Sequence, residues 1–335
     1  MTTAATTAPT ATMQAIVQDS YGGSEVLRHE RTARPEIADG EVLVRVHAAG
    51  LDRGTWHLMT GRPYLMRVIG FGFRRPKNPV PGLDVAGTVV AVGADVTRFV
   101  VGDEVCGIAR GSFAEYAAAR EDKLVAKPAG LTFAEAAVLP ISSLTAQKAL
   151  VDIGRVQAGQ RVLVIGASGG VGSYAVQLAV AAGAEVTGVC STAKLDHVLA
   201  LGATHVVDHT REDFAARGER YDLVLDIGGN PSLSRLRRAL TPRGTAVIVG
   251  GEDGGNLTGG MNRQLRGLVL SLFVGQRFAM AIASEAATDL ERVTALVAEG
   301  TVRPSLDRTF PLAEAREAMR MLEAGEIRGK VALVV

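Results

Sequence analysis

The first part of the chain alternates apolar and polar residues in short runs, which glycine and proline turns separate. This alternation predicts strands with one buried face, because neighbouring side chains of a strand point to opposite faces. The runs span residues 13–18, 41–48, 85–92, 103–107 and 113–118. Several short strands at this spacing predict a small antiparallel barrel.

Beyond residue 160 the apolar runs become continuous and alternate with helical stretches. Continuous apolar runs suit parallel strands, which are covered on both faces. Strands are predicted at residues 161–165, 185–190, 205–207, 221–226 and 245–250. This alternation of strand and helix predicts a doubly wound parallel sheet, so the chain falls in the α/β class.

Two helical segments join these regions. Thr132 and Glu135 have the spacing of a capping box, which predicts a helix near residues 134–138. A second helix is predicted at residues 142–151. The chain is long enough for two domains with cores of their own.

We predict four segments in the domain organisation. They are a disordered tail at residues 1–12, a barrel domain at 13–138, a parallel-sheet domain at 139–276, and a return to the barrel domain at 277–335. The last segment contains a helix near residues 312–324 and a strand at 331–335.

Residues 162–190 contain a strand, a glycine-rich turn, a helix and a second strand, the minimum unit for binding a dinucleotide. The turn lets the backbone approach a pyrophosphate, and the N-terminus of the helix attracts that anion. The candidate ligands are Ser168, Gly169, Gly170 and Val171. The pattern is Ala-x-Gly-x-x-Gly instead of the three-glycine fingerprint, so an ordinary tight turn is the alternative.

The residues after the second strand of this unit favour NADPH. Enzymes that prefer NADH place a carboxylate there to bind the ribose 2′-hydroxyl. Here Ser191 and Lys194 offer a hydroxyl and an ammonium group, which suit a 2′-phosphate. A solvated helix residue is the alternative for Lys194.

Bulk properties favour a small-molecule enzyme of the cytoplasm. The 36 basic and 35 acidic residues are interspersed and give a net charge of +1, so we expect neither a nucleic-acid nor a membrane partner. The two cysteines, Cys106 and Cys190, form no disulfide framework or metal-binding spacing. The first twelve residues lack the hydrophobic stretch of a secretory signal, and no apolar run has the length of a membrane span.

Seven segments resemble those of the zinc-independent quinone oxidoreductases, a branch of the medium-chain dehydrogenase/reductase superfamily. They are YGGSEVL at 21–27, PGLDVAGTVVAVG at 81–93, GDEVCG at 102–107, GSFAEYAAA at 111–119, LPISSLTA at 139–146, GASGGVG at 166–172 and the closing RGKVALVV. The resemblance implies a GroES-like barrel domain joined to a Rossmann domain, an active site in the cleft between them, and a homodimer.

The zinc alcohol dehydrogenases of the same superfamily bind their catalytic metal with a Cys and a His-Glu pair. This chain has Asp52, Leu83 and Asp84 at those places, and it lacks the cysteine-rich lobe of the structural zinc. Because leucine has no donor atom, we predict no metal site, with an oxygen-lined cation site at Asp52 and Asp84 as the alternative to a structural role. Without a Lewis acid, the expected acceptor is one that spreads the incoming charge over a conjugated system.

Candidate catalytic residues lie between positions 52 and 64. The resemblance implies that Asp52 replaces an Asn of the family and that Thr55 replaces an Asp. His57 aligns with a Tyr of bacterial quinone reductases, and Tyr64 lies near the Tyr that enoyl reductases use as a proton donor. Both His57 and Tyr64 can donate a proton. The alternatives are a barrel histidine and a packing tyrosine, with water as the proton source.

Further cofactor contacts follow from the resemblance. Thr145 is expected to face the phosphates, and His209 stands where relatives have a Tyr near the 2′-phosphate. Gly228 and Gly250 follow strands at the carboxyl edge of the sheet, where open α/β folds bind ligands. Simple turn glycines are the alternative for these two.

Three other residues lie in segments that close over the nicotinamide half of the cofactor in relatives. They are Phe273, Val274 and Lys330. For Phe273 and Val274 the alternative is that they are core residues. Residues 61–79 place apolar residues between basic ones and predict an apolar lip on the substrate cleft, unless the charges are simply solvated.

The sequence therefore predicts an NADPH-dependent, zinc-independent oxidoreductase that transfers hydride to a quinone or another activated conjugated carbonyl. One alternative is an enoyl or alkenal double-bond reductase of the same fold. The other is a protein that binds NADPH without catalysis, because a fold does not determine a function.

Overall fold

The structure is a computed structural model that describes residues 11–250, 255–281 and 285–335. Residues 1–10 of the predicted tail lie outside this part. Thr12, which we assigned to the tail, instead begins the first strand. The N–H of Arg34 donates to the oxygen of Ala11 at 2.8 Å and so fixes where this strand starts to pair with residues 28–33. In the described ranges no helix is both long and apolar enough to cross a membrane.

Residues 11–153 contain the first seven strands. The elements are β1 (Thr12–Val17), β2 (Arg28–Ala33), β3 (Glu41–Leu51), α1 (Arg53–Thr60), β4 (Asp84–Val92), β5 (Glu104–Ile108), β6 (Tyr116–Arg120), β7 (Leu124–Ala126), α2 (Phe133–Ala137) and α3 (Pro140–Gln147). A π-helical turn, Lys148–Ile153, extends α3, and another, Arg67–Phe71, lies in the loop after α1. The capping box of Thr132 and Glu135 is confirmed at the start of α2.

The second part alternates strands and helices. The elements are β8 (Arg161–Ile165), α4 (Gly170–Ala181), β9 (Glu185–Cys190), α5 (Leu195–Ala200), β10 (His205–Asp208), β11 (Tyr221–Asp226), α6 (Leu233–Ala239), β12 (Leu240–Ile248), α7 (Met261–Leu270), β13 (Arg277–Met280), α8 (Ala287–Ala298), β14 (Leu306–Pro311), α9 (Ala315–Glu323) and β15 (Lys330–Val334).

Six strands form the predicted parallel sheet, in the order β10-β9-β8-β11-β12-β13. Its central strand β8 is buried on both faces, as the continuous apolar run Val162–Val164 requires. Helix α4 packs over it and contributes the fully buried Tyr174, Ala175 and Val176 to the core. The doubly wound α/β architecture is confirmed.

Seven strands form a second sheet in the order β14-β15-β3-β4-β5-β7, with β6 paired to β3. The run at residues 13–18, predicted as a barrel strand, instead pairs as β1 with β2 in a separate two-stranded sheet. All pairs are antiparallel except β14 with β15, which is parallel. The eleven residues of β3 pair with three strands, β15, β4 and β6. Two register shifts in the pairing with β4 are sites where the strand can bend. We call the two units the mixed-sheet domain and the parallel-sheet domain.

The return to the mixed-sheet domain begins later than residue 277. Residues 277–280 form β13, which pairs in parallel with β12 and buries Phe278 at the edge of the parallel sheet. Helix α8 follows and packs against α3. The chain rejoins the mixed sheet at β14. The predicted boundary missed β13, because a four-residue strand gives little periodic signal.

Tyr174 of α4 connects the two domains. Its hydroxyl donates to the backbone oxygen of Val138 at 3.0 Å and accepts from the N–H of Ser305 at 3.3 Å. Burial raises the pKa of this phenol far above its ordinary value. The domains therefore meet through a buried polar contact beside the carboxyl edge of the parallel sheet.

Candidate active site

The glycine turn lies between β8 and α4, as predicted. A Cβ on Gly172 would lie 2.0 Å from the backbone oxygen of Gly166, and one on Gly166 would lie 2.7 Å from the backbone nitrogen of Gly228. Gly166 also has a φ of +85°, which L side chains rarely adopt. A side chain at either position would push the turn apart, so the glycines permit close packing of helix, turn and neighbouring strand.

The front of this turn is open. Gly169 is the N-cap of α4, and a Cβ there would meet only the oxygen of Gly166, at 3.5 Å. Ser168, Gly170 and Val171 flank it, with the N–H groups of the first helical turn behind them. This cradle fits the pyrophosphate of a dinucleotide, because an anion there meets unpaired donors and the positive end of the helix dipole.

The segment that leads into β15 runs across the turn. The N–H of Gly329 donates to the oxygen of Ser168 at 2.8 Å, and Gly329 forms a parallel bridge with Gly169. The next residue, Lys330, packs its aliphatic stem 3.0 Å from where a Cβ on Gly170 would stand. The structure thus brings Lys330 to the phosphate cradle.

The ammonium group of Lys330 forms an ion pair with Asp84 of β4. Both side chains are buried, at 1% and 0% exposure. Asp84 also accepts the N–H of Ile141 at 2.9 Å. Burial raises the pKa of Asp84 to about 7, Lys330 opposes that rise, and the nearby Asp52 adds to it.

Asp52, a predicted catalytic residue, is the N-cap of α1. Its Oδ1 accepts the N–H of Thr55 at 2.7 Å, whereas its Oδ2 and the hydroxyl of Thr55 are buried and lack hydrogen-bond partners within the described residues. Asp52, Asp84 and Lys330 therefore form one buried polar cluster beside the cradle. In the described ranges no group of three or more His, Cys, Asp and Glu side chains is placed to bind a metal ion.

The other two catalytic candidates lie farther out. His57 is exposed on α1, and its Nδ1 lies 2.8 Å from the oxygen of Arg62, so Nδ1 carries a proton. Tyr64 is 40% exposed, with the Arg67 guanidinium 4.6 Å from its ring centroid. Its N–H donates to the oxygen of Asn256 at 2.7 Å. The structure leaves both side chains exposed, outside the buried cluster.

At the predicted 2′-phosphate end, the Lys194 ammonium donates to the oxygens of Gly325 at 2.7 Å and Ile327 at 2.6 Å. Ser191 precedes it at the end of β9, and His209 is exposed, with its N–H donating to the oxygen of Cys190 at 3.1 Å. Lys194 therefore connects this end of the cleft to the segment before β15.

A carboxylate that the sequence did not single out lies beside these residues. Asp208 ends β10, is 6% exposed, and accepts hydrogen bonds from the hydroxyls of Thr192 and Thr210, which lower its pKa. Its position at a strand end was visible in the sequence, but the two threonines that surround it were not.

At the predicted nicotinamide end, Gly228 and Gly250 follow β11 and β12 at the carboxyl edge of the parallel sheet. Arg263 of α7, which sequence reasoning missed, connects these loops. Its guanidinium pairs with Asp226 at 2.5 Å and donates to the oxygens of Pro231 at 2.9 Å and Gly250 at 3.1 Å. Asp226 is fully buried, and this burial raises its pKa to about 6, against the effect of Arg263.

Thr145 lies half-buried on α3, and its hydroxyl donates to the oxygen of Ile141 in its own helix at 2.7 Å. Ser142 lies closer to the cradle, with its hydroxyl 3.0 Å from where a Cβ on Gly170 would stand. The spacing of one helical turn between them explains why the sequence did not distinguish the two.

The prediction that Phe273 and Val274 contact the nicotinamide is wrong. Both precede β13, so they lie at the amino edge of the parallel sheet, opposite the edge of the glycine turn. Phe273 is 79% exposed, and Val274 packs against a core cluster of the sheet. The error arose because α7 and β13 were not predicted, and parallel strands carry their preceding loops to the far edge.

Comparisons with known proteins agree with this architecture. Residues 38–129 match the alcohol dehydrogenase GroES-like domain, and residues 201–333 match the zinc-binding dehydrogenase domain. A chloroplastic quinone-oxidoreductase homolog of Spinacia oleracea is 32% identical over 337 residues, which cover 95% of this chain and 97% of that protein.

Two further relatives extend the comparison. The chloroplastic NADPH-dependent alkenal/one oxidoreductase of Arabidopsis thaliana is 32% identical over 337 residues, which cover 95% of this chain and 78% of that protein. The quinone oxidoreductase structure from Coxiella burnetii superposes with a TM-score of 0.86 at 30% identity, covering 97% of this chain and all of that one. This chain is an oxidoreductase that belongs to the medium-chain dehydrogenase/reductase superfamily, in its zinc-independent quinone oxidoreductase branch.

Proposed function

We propose that this protein uses NADPH to reduce a quinone or another conjugated carbonyl compound without a metal ion. The observation that carries the proposal is the bridge between Gly169 and Gly329, which brings the phosphate cradle against the buried cluster of Asp52, Asp84 and Lys330. Leu83 stands next to Asp84, where the zinc enzymes of the superfamily have a metal ligand.

NADPH, when bound, would supply the hydride for this chemistry. The protein's own residues bind the cofactor and orient it against the substrate. The cradle at Gly169 and Gly170 receives the pyrophosphate, and Arg263 fixes the loops that carry Gly228 and Gly250 at the nicotinamide end. Holding donor and acceptor in one geometry contributes a large part of the rate in a reaction of this kind.

The proton that completes the reduction is assigned to His57 or Tyr64. With Nδ1 bonded to the oxygen of Arg62, a protonated His57 delivers the proton on Nε2. The single variants His57→Asn and Tyr64→Phe identify the proton donor, because loss of the donor is expected to lower kcat by about 100-fold. If neither variant lowers kcat for a quinone, water is the proton source.

A turnover screen tests the function. NADPH and NADH are each paired with quinones, enones, enoyl thioesters and alcohols, with and without a chelator. We expect NADPH oxidation with quinones or enones that the chelator does not change. Chelator-sensitive oxidation of alcohols would refute the metal-free course.

The same screen separates the second candidate, an enone or alkenal double-bond reductase. A relative named for alkenal/one reduction matches over 95% of this chain, which favours testing this class directly. A higher kcat/KM for an enone than for every quinone would assign the protein to that class.

NADPH is preferred over NADH in our proposal, and Lys194 provides the test. Lys194→Ala is expected to weaken NADPH binding by about tenfold more than NADH binding, because only NADPH carries the 2′-phosphate that an ammonium group attracts. Lys148→Ala, on the surface of the same domain, is the control. Equal weakening of both cofactors would mean that Lys194 only holds the segment before β15.

We also propose that the protein is a homodimer of the cytoplasm. Strand β13 is the outer strand of the parallel sheet, and the neighbouring α7 exposes apolar side chains, among them Leu265 and Val269 at 57% each. Val269→Glu is expected to halve the mass measured by light scattering, whereas Val100→Glu, at a site that is also more than half exposed, leaves it unchanged. Cell fractionation tests the location.

A further inference from the structure

Residues 61–79, which we call the basic loop, differ in charge from the rest of the chain. The loop contains five Arg and Lys residues and no Asp or Glu, although the whole chain has 36 basic and 35 acidic residues. Arg74, Arg75 and Lys77 are exposed and form no ion pair with the carboxylates of the described residues. The charges are therefore available to a partner.

The basic loop also exposes large apolar side chains between these cations. Val68 is 69% exposed and Phe73 is 73% exposed, and Leu65 is 36% exposed. Leu257, at 68% exposure, adjoins them, since the N–H of Leu65 donates to the oxygen of Leu257 at 3.2 Å. Exposed apolar side chains interleaved with cations fit the interface of a lipid bilayer, where apolar groups enter the acyl boundary and cations meet anionic headgroups.

The loop has a defined conformation that presents these side chains. Arg67 points inward, donating to the oxygens of Gly61 at 2.8 Å and Thr60 at 3.1 Å, and its guanidinium lies 4.3 Å from the ring centroid of Tyr21. The hydroxyl of Tyr21 in turn donates to the oxygen of Gly72 at 2.6 Å. Internal contacts thus use one of the five cations and leave the outer face of the loop uncovered in the described structure.

We propose that the basic loop docks on an anionic lipid surface. The aliphatic Leu65, Val68 and Leu257, exposed beside Phe73, favour this partner over a nucleic acid, because aliphatic side chains do not stack on bases as aromatic rings do. The loop directly follows α1, which begins at the buried polar cluster, and its backbone joins the loop that follows β12. Docking therefore brings this side of the candidate site close to the bilayer. That the cleft then receives an apolar carbonyl substrate from the lipid rests on the proposed function.

Vesicle sedimentation of the full-length protein tests the docking. The vesicles consist of phosphatidylcholine alone or of equal parts phosphatidylcholine and phosphatidylglycerol. We expect binding to the anionic vesicles only, and a loss of at least about tenfold in the partition coefficient for Arg74→Ser/Arg75→Ser/Lys77→Ser. Val68→Ser/Phe73→Ser is expected to lose about as much at constant charge.

The matched control is Arg120→Ser/Arg292→Ser/Arg320→Ser, which removes the same charge from other exposed positions and should bind normally. Absence of binding to anionic vesicles, or an equal loss in the control, overturns the proposal. A loop-dependent change in oligomeric state, or loop-dependent binding to single-stranded DNA that Val68→Ser/Phe73→Ser does not weaken, assigns the loop to another partner and also overturns it. The assay contains no substrate, so its result is independent of whether the protein reduces quinones.

Discussion

Among the described residues, each domain has one ion pair with both side chains largely buried, and the two pairs are built differently. In the parallel-sheet domain Asp226 pairs with Arg263, 37 residues away, and the guanidinium also donates to two backbone oxygens of neighbouring loops. In the mixed-sheet domain Asp84 pairs with Lys330, 246 residues away, and the lysine stem lies against the phosphate cradle of the other domain.

The difference indicates that the Asp226–Arg263 pair serves one domain alone, whereas the Asp84–Lys330 pair lies where the two domains meet. The planar guanidinium of Arg263 has several donors and joins two loops of one domain. Lys330 has a compact charge and joins strands of one domain at the point where they meet the other. We therefore expect the first pair to determine stability and the second to affect both stability and cofactor binding.

The largest effect is expected from Arg263→Met. It leaves Asp226 buried without its counter-charge, which costs about 4 kcal/mol of unfolding free energy. Urea denaturation measures the loss. Arg235→Met removes a half-exposed guanidinium paired with Asp213 in the same domain and should cost at most about 1 kcal/mol. Equal losses in the two variants would contradict the role of Arg263.

Lys330→Met is expected to cost about 3 kcal/mol, because it leaves Asp84 unpaired. It should also weaken NADPH binding by about tenfold, since a positive charge beside the cradle is lost. The double variant Asp84→Leu/Lys330→Met sharpens the comparison: stability should recover, as when apolar groups replace a buried pair, while the weaker binding persists. Fluorescence titration measures the dissociation constant. Recovery of both properties would reduce Lys330 to a structural role.

The third prediction is a dependence of stability on pH. Burial raises the pKa of Asp226 to about 6 and that of Asp84 to about 7, from an ordinary 3.8. Each carboxyl therefore binds a proton more readily in the folded state than in the unfolded one. Their contribution to stability is fully present below about pH 4 and is lost as the pH rises through about 6 and then 7.

Urea titrations of the native protein and of Asp84→Asn, run across that pH range, measure this slope. The variant should lack the part that is lost near pH 7. A native protein whose advantage over Asp84→Asn grows with pH would show that Asp84 is held charged by Lys330 throughout.

Local features of the parallel-sheet domain were predictable, because strand, turn and helix follow one another along the chain. The strands at 161–165, 185–190 and 221–226 coincide with β8, β9 and β11. The glycine turn has the close packing that its glycines predicted. In contrast, α7 has a partly apolar exposed face and β13 is short, so neither gave a clear period, and Phe273 was placed at the wrong edge.

The candidate site was predictable only in part, because its polar cluster depends on contacts between distant segments. Asp52 and Asp84 were singled out from the resemblance, but the pairing of Asp84 with Lys330 follows from the strand order β15-β3-β4. Arg263 carried no sequence signal that distinguished it from other arginines. The basic residues of the basic loop were visible in the sequence, but the exposure of Val68 and Phe73 beside them was not.

The segment before β15 is fastened to the parallel-sheet domain at both of its ends. The ammonium group of Lys194 donates to the oxygens of Gly325 and Ile327, and the N–H of Gly329 donates to the oxygen of Ser168. A rotation of one domain against the other must pivot there or break these bonds. If these hydrogen bonds are kept, we expect an opening rotation to move the phosphate cradle least and the far end of the candidate site most.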